Sequence, residues 1–269
     1  MNLAELSSSY SLQPVVTEIV RKVKEVSGKD IDFRISDTIS VYAVTKIARK
    51  RMSQHVVYFR KDVVDRLSYI IAHECGHILR IMEAPEEERV VPAIDKTTKL
   101  KVLGDIKINS FPKPLLAKMI DIWVDGIIMQ VTNLPVDVRI EKWIQKSFPS
   151  LEKEQISALE KDAEKTLAGL TKKVEMVTPA KIFTISNSMV YAYLRGISTI
   201  TGKRYDKAFY GRNFILNLGK RLYKLLKEED HGYSSDIETI NLWAKTLGID
   251  DWFHWISFES MPESYFKNL

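Results

Sequence analysis

The chain has 269 residues, a formal net charge of +5 and a pI of about 9.0. Hydrophobic residues make up 45% of it and charged residues 28%, which excludes a disordered or fibrous protein and is typical of a globular one. This length is enough to bury a substantial core in one large domain or two modest ones.

The cysteine content and the absence of apolar segments indicate a cytoplasmic protein. Cys75 is the single cysteine, so no internal disulfide can form, and this favours a reducing compartment. Residues 1–14 lack a basic residue ahead of an apolar stretch, and no run of about 18 uncharged apolar residues follows. We therefore expect no signal peptide and no contact with a membrane, and the sequence does not indicate the oligomeric state.

Two short basic clusters, residues 21–24 and 48–51, account for part of the positive charge. Such clusters can attract nucleic-acid phosphates, but a solvated basic face is the simpler interpretation. No nucleic-acid-binding motif accompanies them, so nucleic acid is an unsupported alternative partner.

The first half of the chain predicts a mixture of helices and strands. An apolar stripe from Pro14 to Gly28 predicts the first helix. Three β-branched and aromatic segments then predict short strands in a meander or hairpin, at residues 30–36, 39–48 and 55–60. A helix from Lys61 or Asp62 to Met82 comes next, and residues 86–111 form a connection with a strand near residues 100–106.

The second half predicts helices almost throughout. A helix begins near Pro112 or Pro114 and ends before residues 132–135, where Pro135 interrupts the helical pattern. The remaining predicted helices are residues 136–147, 150–176, 180–200, 212–229 and 236–247. An aromatic-rich segment, residues 250–266, is expected to pack back over the body. The change in composition at Pro135 indicates two units, residues 1–134 and a helical region packed on them, residues 135–269.

One helix carries an unusual group of polar residues. Residues 70–80 read IIAHECGHILR, and positions four apart lie one above the other on a helix. His73 and His77 therefore point in the same direction, with Glu74 beside them.

This arrangement indicates a catalytic zinc site. Such a site needs three protein ligands and one open position, and neutral imidazoles are suitable ligands. A nearby carboxylate that does not bind the metal can take a proton from water and pass it to a leaving amine, which is the role we expect for Glu74. The alternative is a pair of core or surface histidines with a hydrogen-bonded glutamate.

The segment IIAHECGHILR resembles the active-site helix of the zincin metallopeptidases, and the resemblance extends over about residues 31–130. It implies an α+β fold: a small zincin-type sheet, the active-site helix and a second ligand-bearing helix, followed by a mostly helical C-terminal region. In that superfamily a strand before this helix pairs with an extended substrate, and residues 55–60 are the matching segment here.

The resemblance also bears on the third metal ligand. No histidine lies between His77 and His231, and Arg80 and Glu83 replace the glycine and third histidine of the metzincin pattern. A carboxylate from a second helix, as in the thermolysin-like gluzincins, is the remaining arrangement. By this resemblance Asp121 would bind the metal and Asp125 would orient a histidine, although Asp125 could itself be the ligand.

Other interpretations exist for several of these residues. Glu83 is a weaker third ligand, and helix caps or pairs with Lys118 and Arg139 would also explain the two aspartates. His231 and Tyr233, beside a flexible glycine, are candidate donors to an oxyanion. Cys75 points to another face of the motif helix and is expected to be a core residue.

The sequence therefore predicts a zinc metallopeptidase, a hydrolase acting on a peptide or protein substrate. The alternative is a zincin-fold regulatory or protein-binding module with little or no proteolysis, possibly associated with nucleic acid. Whether a substrate can enter the cleft distinguishes these two functions. An open cleft favours a peptidase, and a cleft filled by the C-terminal aromatic residues favours the binding module.

Overall fold

A computed structural model describes residues 1–105, 113–226 and 230–261. Within these residues the fold is α+β with a largely helical C-terminal half, as predicted, and it contains two small sheets. The strands are β1 (Asp30–Ile35), β2 (Ala43–Lys46), β3 (Gln54–Phe59), β4 (Val90–Ala93) and β5 (His254–Ser257). The helices are α1 (Leu3–Ser9), α2 (Val15–Ser27), α3 (Leu67–Met82), α4 (Lys96–Asp105), α5 (Lys113–Ser147), α6 (Glu152–Leu167), α7 (Lys172–Val177), α8 (Ala180–Thr201), α9 (Asn213–Leu225) and α10 (Tyr233–Leu247).

The larger sheet has the strand order β1-β3-β2. β3 pairs with β1 in parallel, with Ile31 opposite His55, and with β2 antiparallel, with Thr45 opposite Val57. The three predicted strands are confirmed, and β2 and β3 form a hairpin, one of the two predicted arrangements. A meander of all three strands is wrong, because β1 and β3 run in the same direction. β3 is the central strand, and β2 is an edge strand within the described residues.

The motif helix α3 is buried along most of its length and packs on α2 and the sheet. Its predicted end at Met82 is confirmed, but the α-helix begins at Leu67, and the predicted start at Lys61 or Asp62 falls in a 3₁₀ turn, Lys61–Arg66, that precedes it. His73 and His77 are only partly buried, with side chains 20% and 23% exposed, which leaves one polar stripe on an otherwise apolar helix.

Helix α5 runs without interruption through Pro135. An internal proline removes one backbone hydrogen bond and costs about 3 kcal/mol, so the sequence predicted a break there. Buried Val131, Val138 and Ile140 on both sides of the proline give the helix enough apolar contact to continue. The predicted break is wrong, and the proposed unit boundary at 134/135 falls inside a single helix.

Two hydrophobic clusters meet at α5. Val138 and the buried apolar residues of α5 between 120 and 131 pack into one cluster with α8. Ile140 and Ile144 pack into the other cluster with α3. Gly76 of α3 makes the second contact close, because a Cβ added there would lie 2.7 Å from Cγ2 of Ile140. α5 is therefore held tightly against the motif helix.

Several other boundaries differ from the predictions. The strand expected near residues 100–106 is helix α4 as far as Asp105, and the helix expected at 150–176 is divided into α6 and α7. β4 and β5 form a second, antiparallel sheet that the sequence did not predict. Through β5 the aromatic-rich segment packs back on the body, as expected. Its residues 262–266, the predicted helix start at Pro112 and the predicted helix end at 227–229 lie outside the described residues.

None of the described helices combines the length and the apolar character that a membrane span requires.

The neutral state of His55 contributes to stability. Its side chain is fully buried, its Nδ1 accepts a hydrogen bond from the Ala48 amide at 3.0 Å, and Nε2 lies 3.0 Å from Ser27 Oγ. Burial, and then the positive charge of Lys29, lower the pKa of His55 from 6.5 to about 4. The unfolded chain therefore binds more protons than the folded one between these pH values, and protonating Nδ1 would break the bond to Ala48.

We expect the free energy of unfolding to fall as the pH decreases from 6.5 to 4, with His55 accounting for roughly 3 kcal/mol of the loss. Urea unfolding of the wild type and of His55→Gln across this range measures that contribution. The stability difference between them should shrink towards pH 4, whereas His254→Gln, at an exposed histidine, should follow the wild type. Parallel profiles for wild type and His55→Gln would contradict this account.

Candidate metal centre

The two histidines of the motif converge at one end of a cleft. They lie one turn apart on α3, and their Nε2 atoms are 3.1 Å from each other. Because both nitrogens point to the same place, they can bind one metal ion together, or share a proton when no ion is bound.

Asp137 of α5 supplies a third donor atom. Its Oδ1 lies 3.2 Å from Nε2 of His77 and 3.7 Å from Nε2 of His73. Zinc–nitrogen bonds of 2.0–2.1 Å in a tetrahedral site put neighbouring donor atoms about 3.3 Å apart. The three atoms therefore form one face of a tetrahedron of about the right size for zinc, and they come together without rearrangement.

Glu141, one turn after Asp137, orients His73. Its Oε1 lies 2.7 Å from Nδ1 of His73 and accepts a 2.6 Å hydrogen bond from the Tyr69 hydroxyl, while its Oε2 accepts one from Gln155 at 2.7 Å. With Nδ1 donating to Glu141, Nε2 of His73 is directed towards His77 and Asp137. A carboxylate behind a histidine ligand fixes the ring and increases its basicity.

Electrostatics in the cleft make metal binding compete with a proton. Burial alone would lower the pKa of His73, but the hydrogen bond and charge of Glu141, with the charge of Asp137, raise it to about 10. A metal ion needs the unprotonated nitrogen, so its affinity for this site should increase with pH.

Glu74 lies beside the three donors without joining them. Its side chain is mostly buried, and Oε2 accepts a 2.6 Å hydrogen bond from the hydroxyl of Thr45 on β2. This bond ties the carboxylate to the edge strand and leaves its second oxygen available to another partner.

The cleft around these residues has a volume of about 550 Å³. Residues 40–47, which include β2, form one wall, and helices α3, α5, α6 and α8 contribute the rest. Besides the residues already described, its polar lining comprises Ser40, Tyr42, Asn133, Asp162, Lys165 and Tyr193.

Asp121 and Asp125, the candidates for the third ligand that the resemblance predicted, do not line the cleft. Asp121 and Asp125 form ion pairs with Lys99 at 2.8 and 3.3 Å, and more than half of each side chain is exposed. Asp121 precedes Asp137 by more than four helical turns, about 24 Å along α5. Asp121 and Asp125 share the solvent face of α5. Neither of them belongs to the group that His73 and His77 form.

His231 and Tyr233 are not brought to the cleft either. The Tyr233 hydroxyl donates to the backbone carbonyl of Val90, which ties α10 to β4, and burial raises the pKa of Tyr233 to about 12. His231 is exposed, and neither residue lines the cleft. Cys75 is fully buried in the core as expected, and burial raises the pKa of its thiol.

The strand that the resemblance predicted to pair with a substrate, at residues 55–60, does not line the cleft either. Residues 55–59 of the predicted segment 55–60 belong to β3, which is paired on both sides and has no free edge. β2 has only one neighbour among the described residues, and it forms a wall of the cleft. The strand next to the motif helix in sequence is therefore not the strand at the cleft.

Sequence reasoning missed Asp137, Glu141 and Thr45. Asp137 and Glu141 are four apart on a helical segment that was predicted, so the spacing used for Asp121 and Asp125 was present there too. No local signal in the sequence singles out Thr45, because its contact with Glu74 depends on how β2 pairs in the sheet.

Comparisons of this chain with protein-family models, with curated proteins and with solved structures found no match.

The geometry predicts that Asp137, and not Asp121, is needed for metal binding. We expect the wild type to bind one zinc ion per chain, Asp137→Ala to lose this binding and Asp121→Ala to retain it. Glu141→Gln should weaken zinc binding by about 10–100-fold, because it loosens the orientation of His73. Metal analysis after dialysis, and competition with a chromophoric chelator, measure these differences. Zinc loss in Asp121→Ala with retention in Asp137→Ala would contradict the assignment.

Proposed function

We propose that the protein is a zinc-dependent peptidase, with the metal held by His73, His77 and Asp137 and with Glu74 as the general base. The observation that carries the proposal is the cluster of three donor atoms, 3.1–3.7 Å from one another, with a carboxylate beside it in an open cleft. The zincin-like sequence of the motif helix supports the same chemistry.

The donor set suits zinc and a catalytic role. Two imidazoles and one carboxylate are among the commonest ligands of catalytic zinc, and three protein ligands leave a position for water or substrate. A bound zinc ion would supply Lewis acidity, which lowers the pKa of water and polarises a carbonyl group. The buried partner of His73, Glu141, completes the support that such a ligand needs.

Glu74 is suited to moving the proton. Thr45 holds its Oε2, so the other carboxylate oxygen can accept a proton from water as it attacks the carbonyl carbon. The same oxygen can then deliver the proton to the leaving amine, which completes hydrolysis of the peptide bond.

The edge strand favours a peptide as substrate. β2 forms one wall of the cleft and carries Thr45, and an extended chain can add to such an edge through backbone hydrogen bonds. These bonds bind a peptide of almost any sequence and would align it with the metal centre. β2 therefore takes the role that the resemblance gave to residues 55–60.

The alternatives receive less support. The C-terminal aromatics Trp252, Phe253 and Phe258 are buried in the two core clusters, and no described residue after 193 lines the cleft. This favours a peptidase over a latent binding module. In the basic cluster at 21–24, all three cationic side chains form ion pairs with neighbouring acids, so a nucleic-acid partner gains no support.

We expect Glu74→Gln to retain zinc but to lower the rate of peptide hydrolysis by about 10²–10⁴-fold, because the amide cannot accept the proton. Cleavage of fluorescein-labelled casein by the zinc-loaded protein measures the rate, and metal analysis measures occupancy. Glu83→Gln, at an exposed glutamate near the end of the same helix, is the matched control and should keep full activity. Undiminished hydrolysis by Glu74→Gln with one zinc per chain would contradict the proposed mechanism.

A further inference from the structure

A buried group of charges links α3 and α5, the two helices that carry the proposed metal ligands, through a third helix, α10. Arg80 follows His77 by three residues on α3, and Arg139 lies between Asp137 and Glu141 on α5. Both guanidinium groups reach one carboxylate on α10, Asp236, which is 1% exposed. Arg80 Nη2 and Arg139 Nη1 donate to its Oδ1 at 2.7 and 2.8 Å, and Arg80 Nε donates to its Oδ2.

This group lies on a different side of α5 from the metal centre. Arg139 is two residues from Asp137 and two from Glu141, and two residues correspond to about 200° around a helix axis. Its contact with Asp236 therefore holds α5 from the side opposite the metal ligands. Among the described contacts, Asp236 touches neither histidine nor Asp137, so any effect on the metal must pass through the helices.

The charges leave little freedom for these helices to shift. Arg80 also pairs with Asp230 at 2.8 and 3.0 Å, and Arg139 also donates to Thr239 at 2.8 Å. Burial alone would lower the pKa of Arg80, but its hydrogen bonds to Asp230 and Asp236 raise it. A buried charge that loses its partner strongly destabilises the fold, and Asp236 is the one carboxylate among the described contacts of Arg139, so Arg139 must stay within reach of it.

We propose that Asp236 is a positioning residue for the metal centre, and this proposal rests on the zinc site proposed above. By binding Arg80 and Arg139 together, it sets the separation and the rotation of α3 and α5 that bring Asp137 to the two histidines. Zinc needs its donor atoms within a few tenths of an ångström of their ideal places. Zinc affinity should therefore depend on a residue that does not contact the zinc ligands.

Asp230 provides a matched control. It pairs with Arg80, as Asp236 does, but its described hydrogen bonds and ion pairs do not extend to α5. Asp230→Asn and Asp236→Asn thus remove the same charge beside the same arginine, and only Asp236→Asn weakens the link between the two helices.

The test is the zinc affinity of the two variants, measured by competition with a chromophoric chelator, together with the visible absorption spectrum of the cobalt(II) forms. We expect Asp236→Asn to bind zinc about tenfold or more weakly, in the range seen for residues that support ligands, and to give an altered cobalt spectrum. Asp230→Asn should match the wild type in both. A loss of stability alone would not change the cobalt spectrum of the folded protein.

Wild-type affinity and an unchanged spectrum in Asp236→Asn would overturn the proposal, as would an equal loss in Asp230→Asn. Circular dichroism of the metal-free proteins reports whether each variant folds. If Asp236→Asn does not fold, Arg139→Lys replaces it, since lysine keeps the charge but lacks the planar fork that donates to Asp236 and Thr239 through two nitrogens. Unchanged zinc affinity in that variant would overturn the proposal. A wild-type protein that binds no zinc would refute the zinc site itself. If the wild type binds zinc and Asp236→Asn binds it equally well, only the positioning role of Asp236 is refuted.

Discussion

The hydrogen bond between His73 and the buried carboxylate of Glu141 is the interaction on which the cleft depends. Glu141 is 1% exposed, and desolvating a carboxylate is costly unless its oxygens are fully bonded. Three side chains meet this requirement, His73 and Tyr69 from α3 and Gln155 from α6. One carboxylate thus joins three helices and directs a histidine towards the proposed metal position, so the stability of the cleft and the proposed function rest on the same contact.

Local features of the site could be predicted from the sequence, because they depend on positions within one helix. His73, Glu74 and His77 lie on α3 as the helical spacing requires, and β1, β2 and β3 form where β-branched residues indicate strands. A pair of carboxylates four residues apart does lie beside the histidines, but it is Asp137 and Glu141 and not the predicted Asp121 and Asp125. Because the sequence predicted that Pro135 ends the helix, this pair was assigned to the second unit and not considered.

What could not be predicted depends on tertiary packing. Apolar contacts of α5 with both clusters outweigh the cost of Pro135, and no local pattern reports those contacts. The order of strands in the sheet differs from their order in the chain, so the strand at the cleft was misassigned and Thr45 was overlooked. Tyr233 had a suitable side chain, but its hydroxyl is engaged by Val90 of a sheet that was not predicted.

Anomalous diffraction at the zinc absorption edge, from crystals of the zinc-loaded protein, tests the central claim most directly. The account predicts one strong peak at bonding distance from Nε2 of His73, Nε2 of His77 and a carboxylate oxygen of Asp137, with Nδ1 of His73 still bonded to Glu141. A peak beside Asp121 and Asp125, or no peak between α3 and α5, would contradict it.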